Sequence, residues 1–124
     1  MRHLSFGRMQ QRIMKILWER GEANAREITE TLNRDQFTAH STVQTLLRKL
    51  EAKGAIAHKV QDRTFVFYPL VEEQKARHSA TRDLIERVFG GSVGGLVAHL
   101  LEHEKIPPKE LQQLRQLTEK GKEG

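Results

Sequence analysis

Apolar residues recur along most of this chain at the three-to-four-residue spacing of amphipathic helices. Phe6, Met9, Ile13, Ile16 and Leu17 share one face of a helix predicted from about Ser5 to Arg20. Met14 and Trp18 widen that stripe and Gly21 ends it. Asn24 suits the N-cap of a short second helix, with Glu27 completing a capping box and Ile28 and Leu32 forming the apolar side. After the polar connection "NRDQFT", the stretch "HSTVQTLLRKLEAKG" reads as a third helix ended by Gly54. Its inner face is Val43, Leu46, Leu47 and Leu50. Nearly opposite, Ser41, Gln44, Thr45 and Arg48 repeat the same spacing.

The helical period then stops. "AIAHKV" and "TFVFYP" are rich in β-branched and aromatic residues and read as two strands joined by the tight connection "QDR". Three helices followed by a hairpin are the outline of a winged helix-turn-helix. Beyond Pro69, "LVEEQKARHSATRDLIERVF" predicts a mostly polar helix with a thin stripe at Ala76, Ala80, Leu84 and Val88. Gly90 and Gly91 break it, and Ser92 can cap the next helix, with Val93, Leu96, Val97, Leu100 and Leu101 on one face. A last helix starts at Pro108 and turns Leu111, Leu114 and Leu117 inward. These three helices have too little volume for an independent core, and a second copy of the chain is the economical partner for their apolar faces. The expected fold is therefore mainly α with a small β-hairpin. Residues 1–70 form a winged helix-turn-helix DNA-binding domain and residues 71–124 a helical dimerisation region.

Charge sharpens this picture. Residues 1–70 carry 12 Lys and Arg against 7 Asp and Glu, whereas residues 71–124 carry 9 of each. The net charge of +5 thus sits wholly in the first part, as a polyanionic partner requires. A mean hydropathy of -0.62 and the lack of any apolar run near the roughly 20 residues of a spanning helix argue against membrane insertion. "MRHLSFGRMQQRIMKILWERG" has charges within its apolar stretch and no small-residue cleavage site, so it does not read as a secretory signal. A cytoplasmic location is expected. Without cysteine there is neither a disulfide framework nor a thiolate metal site.

The polar row on the third helix then acquires a purpose. A recognition helix lies in the major groove with its N-terminal residues nearest the base edges. Ser41, Thr42, Gln44, Thr45 and Arg48 offer the donors and acceptors that bases and phosphates need, and Arg48 can pair bidentately with guanine. Arg63, at the hairpin tip, can reach phosphate or the minor groove. A merely solvated face would more usually carry Glu and Lys than short hydroxyl residues. The expected DNA elements are a recognition helix over 41–53 and a wing over 56–69. The alternative is a winged-helix module that binds another protein.

Other motifs bear on catalysis and metal binding. "HLLEH" fits the H-x-x-E-H pattern of a metalloprotease, with His99 and His103 as metal ligands and Glu102 as base. A third ligand and a large cleft are needed, and a chain this short has little room for them. No enzyme activity and no cofactor are expected, although His99 and His103 remain candidates for a metal-responsive site. His3, His40, His58 and His78 form no further cluster and read as surface residues. "GGSVGG" lacks the Lys-Ser/Thr of a phosphate loop and reads as a helix break.

"MQQRIMKILWERGEANAREITETL", "STVQTLLRKLEAKGAI", "FVFYPLVEE" and "VFGGSVGGLVAHLLEHEKIPPKELQQLRQL" together resemble the penicillinase-repressor family of winged-helix transcriptional regulators. The resemblance spans nearly the whole chain. It implies a homodimer that binds a palindromic double-stranded operator and represses transcription. By position, Ser41, Thr42, Gln44, Thr45 and Arg48 match the recognition helix, Arg63 the wing, and the stretch from Val88 the dimerisation region. There Leu96, Val97, Leu100 and Leu101 are the expected dimer contacts, with Leu111, Leu114 and Leu117 beneath them. The resemblance also implies relief of repression by a membrane sensor-protease that cuts between an Asn and a Phe. The matching pair here is His99-Leu100. The lead-in to the recognition helix, Phe37-Thr38-Ala39-His40, departs from the aromatic and lysine common in the family, and the cysteine-rich tail of copper-responsive relatives is missing.

Overall fold

The computed structural model of the protein describes residues 5–123, so His3 lies outside the described residues. The chain falls into two compact units, Met1–Asp83 and Leu84–Gly124.

The first unit is a winged helix. It contains α1 (Arg8–Arg20), β1 (Ala23–Asn24), α2 (Ala25–Leu32), α3 (His40–Ala52), β2 (Ile56–Gln61) and β3 (Thr64–Pro69), and it takes in the beginning of α4 (Glu73–Phe89). Helix α1 starts three residues later than its apolar spacing predicts. The Gln10 side chain turns back to accept the Gly7 N–H at 3.0 Å, which closes the first turn there. The same oxygen accepts from Lys53 Nζ at 2.9 Å, so this buried carbonyl has two partners and ties α1 to the end of α3. Ile13, Met14, Leu17, Ile28, Leu32, Val43, Leu47, Leu50 and Ile56 fill one core, with Phe6, Met9, Trp18 and Leu46 packed around it. These are the stripes the sequence spacing predicts.

The sheet is larger than a hairpin. It has three antiparallel strands in the order β1-β3-β2, with Ala23 opposite Phe67 and Phe67 opposite His58. Asn24 has two roles. It pairs with Val66 in the sheet, and its Oδ1 accepts the Glu27 N–H at 2.8 Å while Glu27 Oε1 accepts the Asn24 N–H at 2.9 Å. The connection of the wing is tighter than "QDR". Gln61 still pairs with Thr64, and only Asp62 and Arg63 make the turn, at φ of 51° and 63°. Left-handed values at both central positions define the hairpin turn whose twist matches the strands. The indole of Trp18 donates to Val71 O at 2.8 Å and holds the exit from β3 against α1.

The second unit contains the rest of α4, then α5 (Val93–His103) and α6 (Pro108–Glu123). Gly91 N–H reaches back to Ile85 O at 2.9 Å, with Gly90 and Gly91 both at positive φ, and this closes α4. Ser92 Oγ then accepts the Gly95 N–H at 2.9 Å and caps α5. In α4 the buried residues are Ala76 and Ile85, while Ala80, Leu84 and Val88 are exposed. Of the predicted stripe only Ala76 is buried, and at 3.6 residues per turn Ile85 lies outside that stripe.

Candidate nucleic-acid interface

The polar face of α3 follows directly from its apolar one. With Val43, Leu47 and Leu50 buried, helical geometry turns Ser41, Thr42, Gln44, Thr45 and Arg48 outward, and all five are exposed. Thr45 Oγ1 donates to Ser41 O at 3.1 Å and accepts from Arg48 Nη2 at 3.2 Å. The hydroxyl therefore braces the guanidinium along the helix surface.

The turn that presents this helix is held by Asn33. Its Oδ1 accepts the Thr38 N–H at 2.7 Å, and its Nδ2 donates to Thr38 O at 3.2 Å and Thr29 O at 2.9 Å. Thr38 is buried by this clasp, whereas its neighbour Phe37 is 83% exposed. An aromatic ring held out beside a recognition helix can make apolar contact with thymine methyl groups.

Arg63 sits at the tip of the wing in the left-handed region, which costs a non-glycine residue roughly 1–2 kcal/mol. It shares one concavity of about 640 Å³ with Gln44 and Arg48, although the three lie on separate elements. Among the other residues that line the same recess are Asn24 and Thr64, Arg26 from the first turn of α2 and His40 from the first position of α3. Sequence reasoning missed Arg26 and His40 as parts of one site, because the recess is assembled from segments distant in the chain. Three arginines and no carboxylate line it. Phe65 and Phe67 give its apolar floor, with the Phe65 ring stacked on His58 at 4.1 Å. A second concavity, near the strand β1, is lined by Glu22, Glu27 and Asp62 and by no basic residue. The charge contrast directs a polyanion to the α3 recess.

Leu96 and Leu111 are half-buried in the second unit, while Val97, Leu100, Leu101, Leu114 and Leu117 are exposed. No described side chain of α5 or α6 is buried. The His99 and Leu100 side chains are both exposed, at a bond inside α5. The His99 and His103 rings stack at 4.3 Å, and His103 Nδ1 donates to His99 O at 2.9 Å. Among the described residues no group of three or more His, Asp or Glu is placed to hold a metal ion. No single described helix is long and apolar enough to cross a membrane.

This fold, with a recognition-type helix and a basic recess beneath its wing, defines a winged-helix protein of the regulator type. The family model for the penicillinase repressor matches residues 6–120, and the chain belongs to that family. It is 27% identical over 110 residues to the penicillinase repressor of Bacillus licheniformis, covering 89% of this chain and 86% of that one. It is 30% identical over 108 residues to the methicillin resistance regulatory protein MecI of Mammaliicoccus sciuri, covering 87% and 88%. Among solved structures, the monomeric form of Bacillus licheniformis BlaI in complex with the blaP half-operator matches with a TM-score of 0.51 at 27% identity. That match covers 59% of this chain and 89% of that one. The family is one of repressors, not enzymes.

Proposed function

We propose that the protein is a cytoplasmic, homodimeric transcriptional repressor that binds a palindromic operator in double-stranded DNA. The recognition helix over 41–53 enters the major groove. Gln44 and Arg48 read base edges, Ser41, Thr42 and Thr45 contact bases or phosphates, and Arg63 of the wing over 56–69 holds the backbone. The observation that carries this reading is the recess in which Gln44, Arg48 and Arg63 converge with no carboxylate among its lining. The half-operator complex of the related BlaI supports it.

The helices of residues 71–124 join two chains through Leu96, Val97, Leu100 and Leu101, with Leu111, Leu114 and Leu117 beneath. The exposure of most of these leucines supports the assignment, since large apolar surfaces on one face seek a partner. Two recognition helices then meet half-sites about one helical turn, ~34–36 Å, apart. A sensor-protease that cuts between His99 and Leu100 divides α5 after His99, parting Leu96 and Val97 from Leu100 and Leu101 of the dimer contact. Selection of bound sequences from random duplex DNA tests the core of this reading. Enrichment of a two-fold symmetric site is expected, and failure to enrich any sequence overturns base reading.

A further inference from the structure

Thr29 Oγ1 and His40 Nδ1 meet at 3.0 Å, and a count of hydrogens sets the direction of their bond. A threonine hydroxyl has one hydrogen to give. At Thr29 that hydrogen is donated to Ala25 O, 2.7 Å away and one turn earlier in α2. Thr29 Oγ1 therefore accepts from His40, and the imidazole carries its hydrogen on Nδ1. In the neutral ring Nε2 is then a bare acceptor. No described residue bonds to it.

The ring lines the basic recess. The charged groups that line the recess with it are Arg26 from α2, Arg48 from its own helix and Arg63 from the wing turn, with Asn24, Gln44 and Thr64 as neutral polar neighbours. Arg26 is also paired with Glu30 at 3.1 Å on the exposed surface of α2. A backbone phosphate drawn into this recess offers only acceptor oxygens. Neutral His40 meets such an oxygen lone pair to lone pair, and turning the ring to offer Nδ1–H breaks its bond to Thr29. An imidazolium resolves the conflict. It keeps Nδ1–H on Thr29 and donates Nε2–H to the phosphate, a charge-assisted bond. Imidazoles change charge between about pH 5 and 8, and an anion at the ring nitrogen favours the charged form.

We propose that His40 is a phosphate ligand of bound DNA, that Thr29 positions its ring, and that binding takes up one proton at this residue. The proposal rests on the DNA-binding reading above. Because phosphates are common to all duplexes, it needs no operator sequence.

The test is the affinity of the full-length protein for random-sequence duplex DNA at fixed salt, at about pH 8 and about pH 6, the range of imidazole titration. Wild type, His40→Gln and Thr29→Val are compared, with thermal melting to establish that each is folded. Wild type is expected to tighten at the lower pH by several-fold, bounded by about tenfold per pH unit for one proton. His40→Gln should lose most of that gain while still binding. Thr29→Val, whose ring is free to turn, should show a weaker pH dependence. Equal pH dependence in wild type and His40→Gln overturns the proposal. So does a His40-dependent tightening at the higher pH, which marks Nε2 as an acceptor from a base amino group. If wild type binds no duplex at either pH, the DNA reading itself fails. An independent readout is the NMR titration of the His40 ring, whose midpoint should move to higher pH on adding duplex. No movement also overturns the proposal.

Discussion

In the Met1–Asp83 unit, apolar side chains from three helices and a sheet vanish into a single core; Leu47, for example, is 1% exposed. In the Leu84–Gly124 unit only Ile85 is buried among the described residues, and Leu101 and Leu117 remain 59% and 65% exposed. Both regions have helices of ordinary amphipathic sequence. The difference lies in what each face meets. The first unit buries the apolar stripes of α1, α2 and α3 by itself and turns the polar face of α3 outward. The second leaves large apolar residues exposed, the observation that supports the proposed dimer. A folded reader joined to such a connector is what the proposed two-fold symmetric operator would require.

The largest expected effect tests the connector. The double substitution Val97→Glu, Leu101→Glu places charges on exposed apolar positions, so it should leave the melting of the first unit unchanged. It should convert a dimer to a monomer in analytical ultracentrifugation and lower affinity for the selected duplex by about 10²–10⁴-fold, the loss of effective concentration at the second half-site. A variant that stays dimeric, or a wild type that is monomeric at micromolar concentration, removes the proposed contact.

The next tests the reader's core. Leu47→Ala should destabilise the first unit by about 2–5 kcal/mol in urea unfolding, because it leaves a cavity in a closed core. Leu117→Ala, in the other unit, should cost the first unit less than about 0.5 kcal/mol in the same measurement, its effect falling instead on dimer dissociation. Similar costs for the two would erase the contrast between the units.

Smaller effects dissect the basic face. Arg48→Ala and Gln44→Ala should each weaken the selected duplex by about 1–3 kcal/mol and random duplex by less, measured by competition gel shift. Equal losses on both would reduce the two residues to phosphate contacts. Smallest is the effect of Arg63→Gly on stability. Glycine tolerates the left-handed turn, so thermal unfolding should show a fold unchanged or up to about 1 kcal/mol more stable. DNA affinity should nevertheless fall on all sequences alike. A destabilised fold would mean that the Arg63 side chain is needed by the wing itself.

Much of this was legible in the sequence, for reasons that differ from residue to residue. The stripes of α1, α2 and α3 repeat over two turns or more, and the periodic signal averages out local exceptions. The cap at Asn24 and the break at Gly90-Gly91 rest on local chemistry that needs no tertiary partner. Strand β1 was not legible, since two residues cannot display an alternation and Asn24 already served as a cap. In α4 the spacing picked Ala76, Ala80, Leu84 and Val88, of which Ala76 alone is buried, and it passed over Ile85, which is buried outside that stripe. Arg26 and His40 carry no motif at all. Their place in the recess follows from α2, α3 and the wing meeting in space.

The claim on which the account turns is that the basic recess under the wing binds the DNA backbone. Its most direct test is the salt dependence of duplex binding by wild type and Arg63→Ala. The logarithm of affinity should fall linearly with the logarithm of salt, by about 0.9 for each phosphate neutralised, and Arg63→Ala should flatten that slope by about 1. An affinity that is insensitive to salt, or a slope unchanged by the loss of Arg63, would contradict it and favour a winged-helix surface built to bind protein.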